Sequence, residues 1–223
     1  MQKLIAGLHH FQSSIFSSHR ELFERLAAGQ NPETLFITCS DSRINPNLIT
    51  QTQPGELFIL RNAGNIVPPH GDAPGGEAAT LELAVEVLGV RDVIVCGHTH
   101  CGAMQGLLDE SLLAKTPAMR SWLGHAQATR RVMSENYGDL PGPELLSACV
   151  QENVLAQLEN IRTHPSVADR LTAGTLTLHG WVYKLESGQV FAYDPRMRQF
   201  VSASQVAVGG ASVPLQRLTA GSI

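Results

Sequence analysis

No stretch of this chain approaches the ~20 consecutive apolar residues of a membrane-spanning helix. The opening residues, Met1 to His10, lack the long apolar core of a secretory leader, so the expected compartment is the cytoplasm. There is no basic excess: 16 Lys and Arg against 20 Asp and Glu give a formal net charge of −4. Binding to a phosphate backbone usually shows as a basic surplus, so neither nucleic acid nor a membrane is an expected partner. Cysteines are few, four in 223 residues. In a reducing compartment Cys39, Cys96, Cys101 and Cys149 are expected to bind metal or to be buried rather than to form disulfides. No internal repeat and no linker composition interrupts the chain, so residues 1–223 read as a single domain. A hydrophobic content of 43% and a charged content of 16% are those of an ordinary globular protein.

What is present is an alternation of strand-like and helix-like segments. Residues 2–28 repeat Leu4, Leu8, Phe11, Ile15 and Phe16, then Leu22, Phe23 and Leu26, at helical spacing, and Gly29 stops the pattern. A helix of that length suits packing on a partner subunit, with packing on its own domain as the alternative. Leu35 to Thr38, Glu56 to Arg61 and Val93 to Cys96 read as strands. Helices are expected at 45–50, at 77–89 with Leu81, Ala84, Val85 and Leu88 on one face, at 118–136 and at 143–163. Residues 175–183 and 189–193 read as a hairpin at one sheet edge. The tail from about 203 is low in charge and irregular. The order implies an α/β fold, with a mostly parallel central sheet flanked by helices, an antiparallel edge hairpin and a protruding N-terminal helix.

In such a sheet, ligands bind beyond the carboxyl ends of the strands. Two short stretches stand there: Cys39-Ser40-Asp41-Ser42-Arg43 and Gly97-His98-Thr99-His100-Cys101-Gly102. Cys39, His98 and Cys101 make a zinc-type donor set with one coordination position to spare. The fourth position has two readings. Asp41 closes it, or Arg43 pairs with Asp41 and leaves the position to water, which Asp41 then orients through a hydrogen bond.

CSDSR, then PGELF followed by RNAGN, then GHTHCG, then HGWVY, in this order, resembles the pattern of β-class carbonic anhydrases. The resemblance runs to about Val201 and is nearest to the bacterial branch found beside cyanase and to cyanobacterial enzymes. It implies reversible hydration of carbon dioxide to bicarbonate and a proton by hydroxide on Zn(2+). It further implies Cys39, His98 and Cys101 as metal ligands, Asp41 and Arg43 as the catalytic dyad, and a substrate pocket of Gln30, Phe58, Ala63 and Gly102. That pocket is shared across a homodimer, the minimum unit, with tetramers or octamers as common outcomes. Two departures stand out. Leu83 replaces a pocket tyrosine of many relatives. Phe36 occupies the tryptophan position of a second, inhibitory bicarbonate site whose arginine and tyrosine positions are Arg61 and Tyr183, so that site is expected to be absent or weak and Asp41 to rest off the metal.

Two rival functions stand beside this one: on the same scaffold and zinc, hydrolysis of carbonyl sulfide or carbon disulfide, and, from another class, a non-catalytic bicarbonate-binding or scaffold role. The intact Asp41–Arg43 pair argues against the scaffold role, which has no use for it. Of the remaining candidates, Cys96 and Cys149 read as core and His179 as structural. His100 and His70 read as loop histidines, with a proton shuttle as an alternative for His100. Gly75-Gly76 matches no phosphate-loop fingerprint.

Overall fold

A computed structural model describes residues 1–71 and 75–203. The tail from about 203, expected from the sequence to be irregular, lies beyond Ala203 outside the described residues. The sheet has six strands: β1 (Thr34–Cys39), β2 (Leu57–Asn62), β3 (Asp92–His98), β4 (Thr177–Tyr183), β5 (Val190–Asp194) and β6 (Gln199–Ser202). Their spatial order is β2-β1-β3-β4-β5-β6. The pairs β1–β2, β1–β3 and β3–β4 are parallel, and β4–β5 and β5–β6 are antiparallel.

Burial follows position in the sheet. In β1, Leu35, Phe36, Ile37 and Thr38 are all fully buried, and in β3 the same holds for Val93, Val95 and Cys96. Strands covered on both faces read as continuous apolar runs, which is how they stand in the sequence. The edge strand β2 is only half-buried. The larger core lies on one face, where Val85, Met104, Cys149, Val154 and Leu158 pack with Leu35, Ile37 and Val95. A smaller cluster of Phe36, Ile44, Ile94 and Cys96, flanked by Trp181 and Tyr183, fills the other.

The helix Gly142–Arg162 packs on β3 and β4. Gly97 permits that approach, because a Cβ there would stand 2.9 Å from Val154 and 3.0 Å from Val150. The short helix Pro46–Thr50 starts at Asn45, whose side chain caps it by accepting from the Leu48 amide at 3.2 Å.

Three sequence expectations change. Residues 2–28 are not one helix. After Gln2–His10 and a wider turn at Phe11–Ile15, helical geometry breaks at His19 (φ −117°, ψ 23°) and restarts as Arg20–Ala28. His19 Nδ1 lies 3.0 Å from the Ile15 carbonyl oxygen, so the ring meets the backbone at the break. The segment does protrude, with no buried residue along Gln2–Ala28 and with Leu4 and Leu8 68% and 53% exposed. Second, the antiparallel edge formed by the β4–β5 hairpin is there as expected but is one strand wider, because β6 pairs outside β5. Its residues, Gln-Phe-Val-Ser, are too few to show a period. Third, a helix at Pro165–Thr172 follows a break at His164 that the sequence pattern did not mark. Among the described residues no helix is long and apolar enough to cross a membrane.

Candidate metal centre

Cys39 ends β1 and His98 ends β3, neighbouring parallel strands, so both reach the same sheet edge. Cys101 follows at the N-cap of the helix Gly102–Leu108. Left-handed backbone at His100 (φ 57°) makes the bend that returns Cys101 towards His98. The ligand-type atoms of Cys39, His98 and Cys101 lie within 4.8 Å of one another, and all three residues are buried.

Three observations test the fit to zinc. The Cys39 and Cys101 sulfurs are 3.9 Å apart. Two sulfurs bound tetrahedrally at ~2.3 Å from a zinc ion stand roughly 3.8 Å apart, so the spacing suits the metal. His98 Nδ1 is 2.8 Å from the Thr99 carbonyl oxygen, which can only accept, so Nδ1 carries the proton and Nε2 presents its lone pair. Nε2 is buried without a hydrogen-bond partner, an expensive state unless a ligand occupies it. The residues fit the metal.

The two thiols act as one unit. A hydrogen bond from Cys101 chiefly pulls the Cys39 thiol towards thiolate, against its burial. The same hydrogen bond, then burial and the Cys39 charge, push Cys101 upwards. A metal ion at this point would replace that shared proton and hold both sulfurs as thiolates.

Asp41 is not a member of the three-residue cluster, although its Oδ2 comes within 3.9 Å of His98 Nε2. Its oxygens are engaged elsewhere. Arg43 donates from Nε to Oδ1 at 2.9 Å, from Nη2 to Oδ2 at 2.7 Å, and from its backbone N–H to Oδ1 at 2.9 Å. The Arg43 side-chain hydrogen bonds hold the Asp41 carboxyl well below the usual carboxylate range. Arg43 Nη2 is itself braced by the His100 carbonyl at 3.2 Å.

Arg61 ties the loop between these residues. It donates to the carbonyls of Cys39, Asp41 and Ile44 at 2.7–3.1 Å. Phe36 packs edge-on against Trp181, centroids 6.0 Å apart, on the same side of the sheet as Tyr183.

Of the remaining sequence candidates, Gly102 and Ala63 stand next in sequence to Cys101 and to Gly64, whose N–H donates to Cys39 Sγ at 3.4 Å, and Phe58 and Gln30 lie in other parts of the chain. Ala63 lines a shallow recess of about 330 Å³ with Asn62, Glu77, Ala118, Met119 and Trp122. Phe58 lies in β2 opposite Leu35 and packs half-buried on the larger core. Gly102 is exposed beside Cys101, with open space where a side chain would be. Gln30 is exposed in the loop that enters β1, outside the recess. Cys96 and Cys149 are fully buried, and burial raises both thiols to about 12. His179 bonds Asp92 at 2.7 Å. His100 is exposed, 3.7 Å from Glu186.

The sequence pattern missed the residues that hold the Ala63–Val67 turn. Trp122 Nε1 donates to the Ala63 carbonyl at 2.7 Å. Asn153 Nδ2 donates to the Gly64 carbonyl, the Val67 amide donates to Gln157, and Asn160 donates to the Val67 carbonyl, each at 2.9 Å. The one available signal was the spacing of Asn153, Gln157 and Asn160, which puts three amides in a single row amid the apolar face of their helix.

Residues 34–190 match the protein-family profile described as carbonic anhydrase. The chain is 53% identical over 203 residues to the carbonic anhydrase of Synechocystis sp., which covers 91% of this chain and 74% of that protein. Among solved structures it is similar to the β-carbonic anhydrase CcaA, at 53% identity and a TM-score of 0.89 over 91% of each chain. It is also similar to a tetrameric β-carbonic anhydrase of Sordaria macrospora, at 27% identity and a TM-score of 0.77, over 86% of this chain and 95% of that one.

Proposed function

Since the chain belongs to the β-class carbonic anhydrases, zinc lyases that hydrate carbon dioxide reversibly to bicarbonate and a proton, we propose that Cys39, His98 and Cys101 hold the metal and that Asp41, fixed by Arg43, aims the reacting water. Zinc, when bound, supplies a water whose pKa falls from 15.7 to about 7. Two thiolate ligands temper that effect, since they give the metal more negative charge than imidazoles do.

The chain's own residues do the rest. Asp41, held ionised by Arg43, would accept a hydrogen bond from that water and so turn the water's own oxygen lone pair towards carbon dioxide. Arg43 keeps Asp41 from turning onto the metal, because both carboxylate oxygens are held by its fork. The Gly102 amide lies next to Cys101 and serves the substrate oxygen. Phe58 and Ala63 give the pocket its apolar wall. Gln30, exposed and away from its own chain's cluster, completes the pocket of a second copy across a dimer. The exposed apolar row of Gln2–His10 covers that copy. The observation that carries this reading is the two-point Arg43–Asp41 contact beside, and outside, the Cys–His–Cys cluster.

The test is carbon dioxide hydration against pH for the parent and for Asp41→Ala, with zinc content measured in both. Full zinc occupancy with a loss of roughly 10²-fold or more is expected. Unchanged activity in zinc-loaded Asp41→Ala removes the dyad from the mechanism.

A further inference from the structure

We infer that Trp122 is a positioning residue for Cys39, acting through the Ala63–Gly64 peptide group; the inference rests on Cys39 being a zinc ligand. The indole Nε1–H donates to the Ala63 carbonyl oxygen at 2.7 Å, and the Gly64 N–H donates to Cys39 Sγ at 3.4 Å. Carbonyl and N–H belong to one planar peptide unit, so fixing the oxygen fixes the direction of the N–H. A donor on the oxygen also polarises the unit and strengthens the hydrogen bond from its far end. The relay therefore runs from indole to peptide to sulfur, across 59 residues of sequence on one side and 25 on the other.

Its geometry is tightly held. Gly64 sits at φ +84°, and a Cβ there would stand 2.9 Å from the Ala103 Cβ, so the turn requires glycine. Asn153 grips the following peptide through the Gly64 carbonyl. The device has a chemical consequence. A hydrogen bond to a thiolate draws charge from the sulfur, so a sulfur relieved of it gives more charge to the metal and makes the metal a weaker Lewis acid. Trp122 is half-buried in the wall of the recess and carries no charge, so an effect on the sulfur passes through the peptide.

Trp122→Phe keeps an aromatic ring and removes the donor. In the cobalt-substituted protein, the thiolate-to-metal charge-transfer band is expected to move to longer wavelength. In the zinc protein, affinity falls roughly tenfold, and the midpoint of the hydration pH profile moves upwards. Met119→Leu, which repacks the same helix and leaves the donor, is expected to leave the band in place. A band and midpoint unmoved in Trp122→Phe overturn the inference, whatever its thermal stability. Should Trp122→Phe fail to fold, the parent loaded with ¹¹³Cd decides: the Gly64 amide proton must couple to the metal nucleus through the sulfur, and absence of that coupling overturns the proposal. A cobalt parent without thiolate charge-transfer intensity would instead refute Cys39 as a ligand.

Discussion

Arg43 reaches both carboxylate oxygens of Asp41 from its guanidinium and one of them again from its own backbone N–H, all at 2.7–2.9 Å. Residues two apart close a small ring, so Asp41 has little freedom to turn while the contact persists. Asp41 Oδ2 stands 3.9 Å from His98 Nε2, so the carboxylate lies beside the Cys39–His98–Cys101 cluster and outside it.

Breaking this contact should redirect Asp41 rather than merely weaken it. In Arg43→Gln the carboxylate is expected to enter the fourth coordination position, and hydration to fall roughly 10²-fold or more. Arg43→Lys keeps the charge but not the fork and should fall nearly as far. Metal K-edge absorption of the zinc-loaded variants reads the fourth ligand. An exogenous oxygen there, with parental activity, would show that Arg43 does not hold Asp41 off.

The depressed Asp41 carboxyl gives a pH-dependent share of stability. Its folded pKa lies below the ordinary value near 3.9. Its contribution is therefore whole above that value and is lost as pH falls through it towards the folded pKa. Urea unfolding of metal-stripped parent and Asp41→Asn should show a constant difference above about pH 5 that shrinks towards pH 2. A difference that grew on acidification would contradict the assignment.

Much of this centre was legible in the sequence, because strand ends and ligand spacing are local patterns. Leu35 to Thr38 and Val93 to Cys96 have no polar alternation, which marks central strands, and both lead towards residues of the Cys39–His98–Cys101 cluster. Trp122, Asn153, Gln157 and Asn160 were not legible. Their partners lie 59 to 93 residues away, and a periodic reading sees only which face of a helix a residue occupies. The break at His19 was hidden similarly, since the apolar repeat continues on both sides of it.

Gly64→Ala tests the turn that brings the amide to Cys39. The added methyl meets Ala103 and the backbone must hold a positive φ, so a loss of about 1–3 kcal/mol is expected from strain alone. Zinc retention during dialysis against a chelator should drop with it. Retention equal to the parent would separate the turn from metal binding.

Bicarbonate should not act as an inhibitor from a second site. Phe36 has no indole donor, and Arg61 is engaged by three backbone carbonyls of the 39–44 loop. Hydration rates with rising bicarbonate are expected to follow product competition only. Cooperative loss, or a crystal near neutral pH with Asp41 on the metal, would overturn this.

Removing residues 2–28 takes away the exposed row of Leu4, Ile5, Leu8, Phe11 and Ile15. Sedimentation should then report a smaller species than the full chain, with hydration lowered because Gln30 no longer reaches a second pocket. Leu8→Asp with Phe11→Asp should act in the same direction. An unchanged sedimentation coefficient for the double variant would place the contact elsewhere.

The strand order carries a consequence for how the protein matures. Cys39 arrives with β1, His98 and Cys101 with β3, and these neighbours sit 62 residues apart at the two sulfurs. A chain still emerging from the ribosome that has paired β1 only with β2 owns a single thiol and no chelate. With the three residues as the proposed ligands, metal capture waits until the centre of the sheet has closed, and the rate of zinc uptake becomes a clock for that closure.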